Sequence, residues 1–253
     1  MTRAGGEREL YVRHFRERLL AMGGPAREVV EGPGLVALPG TAAEADGRIL
    51  VTDDRAHDQL RALLPTVHAL VVNVFSAAEA CRRLVRERGG YRPDACTAMV
   101  CADLAVIPEP LLPPGLTPWP VVDGSPVPLE AAAAAALASD PTASPAQELE
   151  PFLRYLRSIP HARFFAATDA RGVVRATAAS ATYGTSTGVF FVNTDPSWRR
   201  RGVGSAMTAL ALRAAAEEGA RTSVLDASSS GYRIYRRLGF TPVGELTHFV
   251  RAA

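Results

Sequence analysis

The stretch SWRRRGVGSAM, Ser197 to Met207, sets Arg199, Arg200 and Arg201 directly before Gly202, Val203 and Gly204, and a helical pattern starts at once. Backbone N–H groups in the first turn of a helix lack intrahelical acceptors, and the helix dipole makes that end partly positive. Gly202 and Gly204 carry no side chain that would keep a ligand from those donors. The arginines add long-range attraction and possible direct contacts to phosphate. This is the chemistry of a phosphate seat, and a diphosphate fits it better than a lone carboxylate.

Two nucleotide-binding patterns compete for such a turn. A P-loop needs Gly-Lys-Ser/Thr, and the chain contains no lysine, which closes that option. A dinucleotide fold fits the Gly202-x-Gly204 spacing and an acidic Asp226 at the end of the next strand. Met207 replaces the third glycine, however, and too little chain follows to complete a doubly wound sheet. A dinucleotide-dependent oxidoreductase therefore stands as a remote alternative.

A strand must deliver the turn and a helix must leave it. TGVFFVNT reads as the strand; the helix runs from about Gly202 to Glu218, with Val203, Met207, Leu210, Ala211 and Ala214 on one face and Gly219 as its stop. RTSVLDA is the next strand, GYRIYRRLG a short helix and FTPVGELTHFVR a closing strand or pair. Upstream, TPWPVV reads as an edge strand, PLEAAAAAALAS and PAQELEPFLRYLRS as helices, and RFFAATD with GVVRATAASATYG as a hairpin around Ala170–Gly172. Antiparallel strands thus lead into one β–α–β unit.

The proline-rich run Val106–Pro120 cannot be helix or central strand and marks a boundary. The expected organisation is an N-terminal mixed α/β domain over 1–105, a linker over 106–115 and a second domain over 116–253. In the first domain, ERELYVRHFRERLLAM, AHDQLRALL and SAAEACRRLVRERGG read as helices, the last with a serine cap. GLVAL, RILVT, HALVVNVF and ACTAMVC read as strands, and no catalytic motif appears among them.

Composition sets the outer limits. The 253 residues are 47% hydrophobic and 21% charged, ordinary for a globular chain, and the net charge of +2 gives no reason to expect nucleic acid as a partner. No apolar run is long enough to cross a bilayer and the N-terminus is too charged for a signal peptide, so no membrane partner and a cytoplasmic location are expected. All 28 basic residues are arginine, which reads as a GC-rich, bacterial coding bias. Cys81, Cys96 and Cys101 match no zinc spacing, and the five histidines lack paired helical spacing, so no metal is expected.

The segments VNTDPSWRRRGVGSAM and LDASSSGYRIYRRLGF together resemble the GNAT superfamily of acyl-coenzyme A-dependent N-acyltransferases. The family signature is Arg or Gln, two variable residues, Gly, one residue, then Gly or Ala; here Arg199, Gly202 and Gly204 fill it. The resemblance covers roughly Leu116 to the C-terminus. It implies an α/β GNAT fold, a mostly antiparallel central sheet with splayed strands flanked by helices, preceded by a smaller domain that is a candidate degenerate copy. By that resemblance the backbone from Arg200 through Arg201, Gly202, Val203 and Gly204 to Ser205 holds the diphosphate of acetyl-CoA. Val192, Asn193 and Thr194 lie along the pantetheine arm, and an N–H among them faces the thioester carbonyl.

Tyr235 falls where many members keep a tyrosine that protonates the departing thiolate; one turn from Leu238, it also reads as a core aromatic. Two positions depart from the family pattern. Ser228 stands where many relatives contact the cofactor through asparagine, and Ser223 where some place a glutamate base. The implied activity is transfer of an acetyl or short acyl group from acyl-CoA to a small-molecule or peptide amine by direct attack. A non-catalytic acyl-CoA sensor is the alternative. Acceptor identity and oligomeric state are not legible.

Overall fold

The computed structural model describes residues 3–24, 27–40, 46–139 and 145–251. They form two compact units, one of Met1–Val100, Asp226–Tyr232 and Pro242–Ala253, the other of Cys101–Leu225 and Arg233–Thr241.

Unit one begins with helix α1 (Arg3–Gly23), followed by strands β1 (Val30–Gly32), β2 (Leu35–Leu38) and β3 (Gly47–Val51). Helix α2 (His57–Leu63), strand β4 (Ala69–Phe75), helix α3 (Glu79–Arg88) and strand β5 (Tyr91–Cys101) complete the N-terminal run. Strands β2 and β3 are fully buried, and their LVAL and ILV segments are accordingly apolar with no alternation, with Arg48 the one charged residue buried in β3. β2 pairs antiparallel with β3, and β3 pairs parallel with β4 across α2. Leu60 and Leu64 from the α2 segment and Cys81 and Val85 of α3 close one core over these strands.

Helix α3 starts three residues after the serine expected to cap it. The Ser76 amide instead donates to the Glu245 carbonyl at 2.9 Å, continuing the sheet. The first turn of α3 takes its cap from elsewhere, for the Cys81 amide donates to Asp54 Oδ1 at 3.0 Å.

Unit two is built from β6 (Thr117–Pro120), α4 (Leu129–Ala138), α5 (Pro145–Arg157), β7 (Ala162–Thr168), β8 (Val174–Tyr183), β9 (Ser186–Thr194), α6 (Val203–Glu217) and most of β10 (Thr222–Ala227) and α7 (Tyr232–Arg237), whose residues Asp226, Ala227 and Tyr232 group with unit one. Its strand order is β6-β7-β8-β9-β10. The first three pairings are antiparallel and only β9–β10 is parallel, across α6. A single β–α–β crossover is not a doubly wound sheet, which removes the dinucleotide reading. β6 lies at the edge of this order, where Pro118 and Pro120 are tolerated. Val203, Met207 and Ala211 anchor α6 on Phe165, Ala167, Ala176 and Ala178 of β7 and β8, with Leu116 from the proline-rich run in the same cluster.

The closing strand β11 (Thr241–Arg251) has most of its length in unit one, where the order is β1-β2-β3-β4-β11-β5. It pairs antiparallel with β4, Leu246 against Phe75 and His248 against Asn73. The element order β2-β3-α2-β4-α3-β5 repeats the order β8-β9-α6-β10-α7-β11. β4 takes β11 as its antiparallel neighbour in place of the β5 that follows it in sequence.

Candidate functional site

The ladder between β9 and β10 is short. Only Ser186–Gly188 and Thr222–Val224 pair, whereas β9 continues alongside β8 as far as Thr194. From Val189 onward, the β9 edge away from β8 has no ladder partner within unit two among the described residues. Such an edge offers backbone donors and acceptors to an extended ligand arm.

Within that free stretch β9 is bulged. Thr177 faces Asn193 and Ala179 faces Phe190, so β9 spends one more residue than β8. Phe191, in the bulge, has φ 51°. A left-handed conformation costs an L-residue roughly 1–2 kcal/mol and persists only where the surroundings hold it. Here the Phe191 ring packs edge-on against Phe152 at 4.9 Å and Phe190 at 5.2 Å, and its carbonyl accepts from Thr177 Oγ1 at 3.1 Å. The Val192 side chain packs against the core cluster beneath α6. What Val192 has left to offer a ligand is therefore its main chain. A small cleft beside Phe191, lined by Leu129, Ala133, Phe152 and Phe164, is apolar apart from Thr177 and contains no titratable group.

The strand ends in a braced turn. Asp195 accepts from the Ser197 amide at 2.8 Å, and Arg175 bridges Asp195 and Asp169 at 2.9 Å each. The Ser197 hydroxyl and amide and the Arg175 guanidinium hold the Asp195 carboxyl below the usual range. The arginine–glycine loop follows, with Arg200 at φ 60° and Gly202 at φ 81°. These two left-handed residues turn the chain from the end of β9 into the start of α6. No side chain caps α6, and its first ladder bond runs from the Ala206 amide to the Gly202 carbonyl at 3.0 Å. The amides of Val203, Gly204 and Ser205 precede that bond and are the free donors of the helix end.

The three arginines divide their work. Arg199 Nε donates to the Thr194 carbonyl at 3.0 Å and its Nη2 to the Ser139 carbonyl at 2.9 Å, so its guanidinium ties the loop to β9 and to the end of α4. The Arg201 guanidinium lies 5.1 Å over the Trp198 ring. Arg200 is exposed and has no side-chain partner among the described residues.

A Cβ placed on Gly204 would meet Ile234 Cδ1 and Thr194 Oγ1 at 3.6 Å, ordinary contact distance. The end of β9, the start of α6 and helix α7 therefore converge at Gly204. Tyr235 follows Ile234 on α7 and packs edge-on against Phe240 with centroids 6.1 Å apart. Burial pushes its phenol up to about 12, and its hydroxyl has no hydrogen-bond partner among the described residues.

The expected site residues Val192, Asn193, Thr194, Arg199–Ser205 and Tyr235 all fall in unit two. Ser228 falls in unit one, where its hydroxyl meets Ser230 Oγ at 3.1 Å and accepts from the Gly231 amide at 3.3 Å. Ser223 is fully buried with an unpartnered hydroxyl, so no ionisable base stands at that position.

Residues 160–242 match the family model described as an acetyltransferase (GNAT) domain. The chain is similar to a GCN5-related N-acetyltransferase from Kribbella flavida, at 24% identity and a TM-score of 0.60, covering 99% of this chain and 94% of that one. A GCN5-related N-acetyltransferase-like protein from Streptococcus suis aligns at 16% identity and a TM-score of 0.56, over 98% and 100% of the two chains. A tandem GNAT protein from the clavulanic acid biosynthesis pathway aligns at 17% identity and a TM-score of 0.51, over 89% and 83%. No curated protein matches the chain.

Proposed function

We propose that this chain, which carries a GNAT acetyltransferase domain on a GNAT fold, transfers an acetyl or short acyl group from acyl-CoA to an amine. The observation that carries the reading is the convergence at Gly204 of an uncapped helix start, the end of an unpaired strand stretch and a helix bearing a free tyrosine hydroxyl.

In this reading the amides of Val203, Gly204 and Ser205 take the diphosphate, with Arg200 supplying charge. The pantetheine arm lies along Val192–Thr194, and the bulged strand presents a main-chain N–H to the thioester oxygen. The acceptor nitrogen attacks the thioester carbon and forms the C–N bond. The C–S bond then breaks and its electron pair leaves on sulfur.

Tyr235 donates its proton toward that thiolate, while the proton shed by the amine nitrogen passes to water and water restores the phenol. A phenol near 12 is a weaker acid than a thiol of about 8.5, so Tyr235 first offers the departing sulfur a hydrogen bond. Proton transfer is completed only as the proton shed by the amine returns to the phenol through water. With Ser223 in place of a base, the amine loses its proton to water or arrives neutral.

A second reading, an acyl-CoA sensor without turnover, rests on that same Ser223. One experiment separates them: a panel of small amines and peptides with acetyl-CoA and longer acyl-CoAs, followed by free-thiol release and mass spectrometry. Acceptor-dependent thiol release with an acylated amine supports transfer. Tight acetyl-CoA binding with no acylated product from any acceptor supports the sensor.

A further inference from the structure

Unit one holds a cluster of side chains that the acyl-transfer reading does not use. Cys96 on β5, Asp226 at the end of β10 and His248 on β11 bring one sulfur, one carboxylate oxygen and one ring nitrogen within 4.8 Å of one another. Cys96 Sγ lies 3.2 Å from His248 Nε2, and Asp226 Oδ2 lies 3.1 Å from the same nitrogen. A nucleophilic Cys–His–Asp relay would use the two opposite nitrogens of the ring. Here both partners address one nitrogen, which has either a proton to give or a lone pair to share, and cannot serve both well.

A shared cation resolves that conflict, because all three heteroatoms then direct lone pairs to one point. Tetrahedral zinc bonds of ordinary length place sulfur about 3.5 Å from nitrogen and nitrogen about 3.3 Å from oxygen. The two observed spacings to His248 Nε2 need only a few tenths of an ångström of expansion, and the sulfur and the carboxylate oxygen, within 4.8 Å of each other, would settle about 3.5 Å apart around the ion.

The surroundings support the same conclusion. Tyr11 donates to Asp226 Oδ1 at 2.6 Å, which orients the carboxylate and leaves Oδ2 toward the cluster. Asp94 and Glu245 also face Cys96, so its field is acidic; Arg18 near Asp226 and Arg48 near His248 are the opposing cations. Glu245 is itself engaged by Thr97 Oγ1 at 3.2 Å. Cys96 is 7% exposed, whereas the His248 and Asp226 side chains keep 23% and 31% of their surface, which leaves an approach for a fourth ligand.

We propose that Cys96, Asp226 and His248 form a zinc site with one position open to solvent. Thiolate, imidazole and carboxylate together suit Zn²⁺ or Co²⁺ and not Mg²⁺ or Ca²⁺. The zinc proposal does not rest on the acyl-transfer reading, and its test uses no coenzyme A.

The test uses the full chain, stripped with a chelator and titrated with Zn²⁺ by calorimetry at pH 8, with Co²⁺ absorption as a second readout. The expected result is one Zn²⁺ per chain, weakened at least 10-fold by Cys96→Ser and by His248→Gln, and also weakened by Tyr11→Phe. Bound Co²⁺ shows a thiolate charge-transfer band that Cys96→Ser abolishes and Cys101→Ser retains. Circular dichroism establishes that each variant is folded, and the isosteric Asp226→Asn provides the deciding comparison should another variant unfold. Absence of stoichiometric uptake by the wild-type chain overturns the proposal, as does uptake unchanged in the folded variants.

Discussion

At the scale of single residues, cofactor binding depends on side chains that are absent and turnover on one that is unengaged. Gly204 has room for a Cβ at ordinary contact distance from Ile234 and Thr194, so the fold alone does not demand glycine there. A Gly204→Asp variant should therefore stay folded, with a melting temperature close to wild type, while its carboxylate repels a diphosphate. Calorimetry should show coenzyme A affinity reduced at least ~10-fold, the direction that two like charges at a helix N-terminus require. Tyr235 is the complementary case. Its phenol, near 12, keeps its proton throughout the range of enzyme assays, so turnover should show no basic limb from Tyr235 below pH 10. Tyr235→Phe should lower kcat about 10²-fold in steady-state assays, the usual scale of acid catalysis, with KM for acetyl-CoA little changed. Wild-type turnover in that variant would return Tyr235 to a packing role against Phe240.

At the scale of elements, the bulge in β9 is the feature on which geometry most depends. The Phe191 ring offsets a strained backbone by filling the space against α5. Phe191→Ala should destabilise unit two by about 2–4 kcal/mol in urea unfolding and reduce kcat more than it raises KM for acetyl-CoA, because the neighbouring Val192 N–H loses its support. Nothing in the sequence announced this bulge, since an aromatic residue in the left-handed region has no compositional signature. The α6 face was legible: Val203, Met207 and Ala211 recur at helical spacing and are the residues buried in its core cluster. The start of α3 was not, because the carbonyl that holds the Ser76 amide belongs to Glu245, far along the chain. The role of Arg199 was equally hidden, for its acceptors are the backbone carbonyls of Thr194 and Ser139, and carbonyl direction leaves no trace in residue type. The Cys96–Asp226–His248 cluster joins residues 152 and 22 positions apart, which no spacing motif can encode.

At the scale of the whole molecule, two units repeat one order of elements but differ in the turn that matters. Between β3 and α2 the chain reads Thr52-Asp53-Asp54-Arg55-Ala56, with no glycine. Asp53 already accepts from the Arg55 amide at 3.2 Å, so a carboxylate occupies a donor of this turn that a phosphate would need. The hydrogen bond from the Arg55 side chain outweighs partial burial and holds the Asp53 carboxyl at about 2. A carboxyl with a folded pKa below its unfolded value of about 3.9 stabilises the fold above that value and loses the contribution as pH falls toward the folded one. Melting temperature should accordingly be level from pH 7 to 5 and fall below about pH 4, and Asp53→Asn should make the drop between pH 6 and 3 smaller. The Arg200–Ser205 turn of unit two carries no acid, and its hold on a diphosphate is the centre of the account. Calorimetric titration of the full chain with coenzyme A and, in parallel, with pantetheine tests that hold most directly. Coenzyme A should bind saturably and pantetheine, which lacks the diphosphate, at least ~100-fold more weakly. Equal affinity for the two, or no uptake of coenzyme A, would contradict a diphosphate seat at this turn.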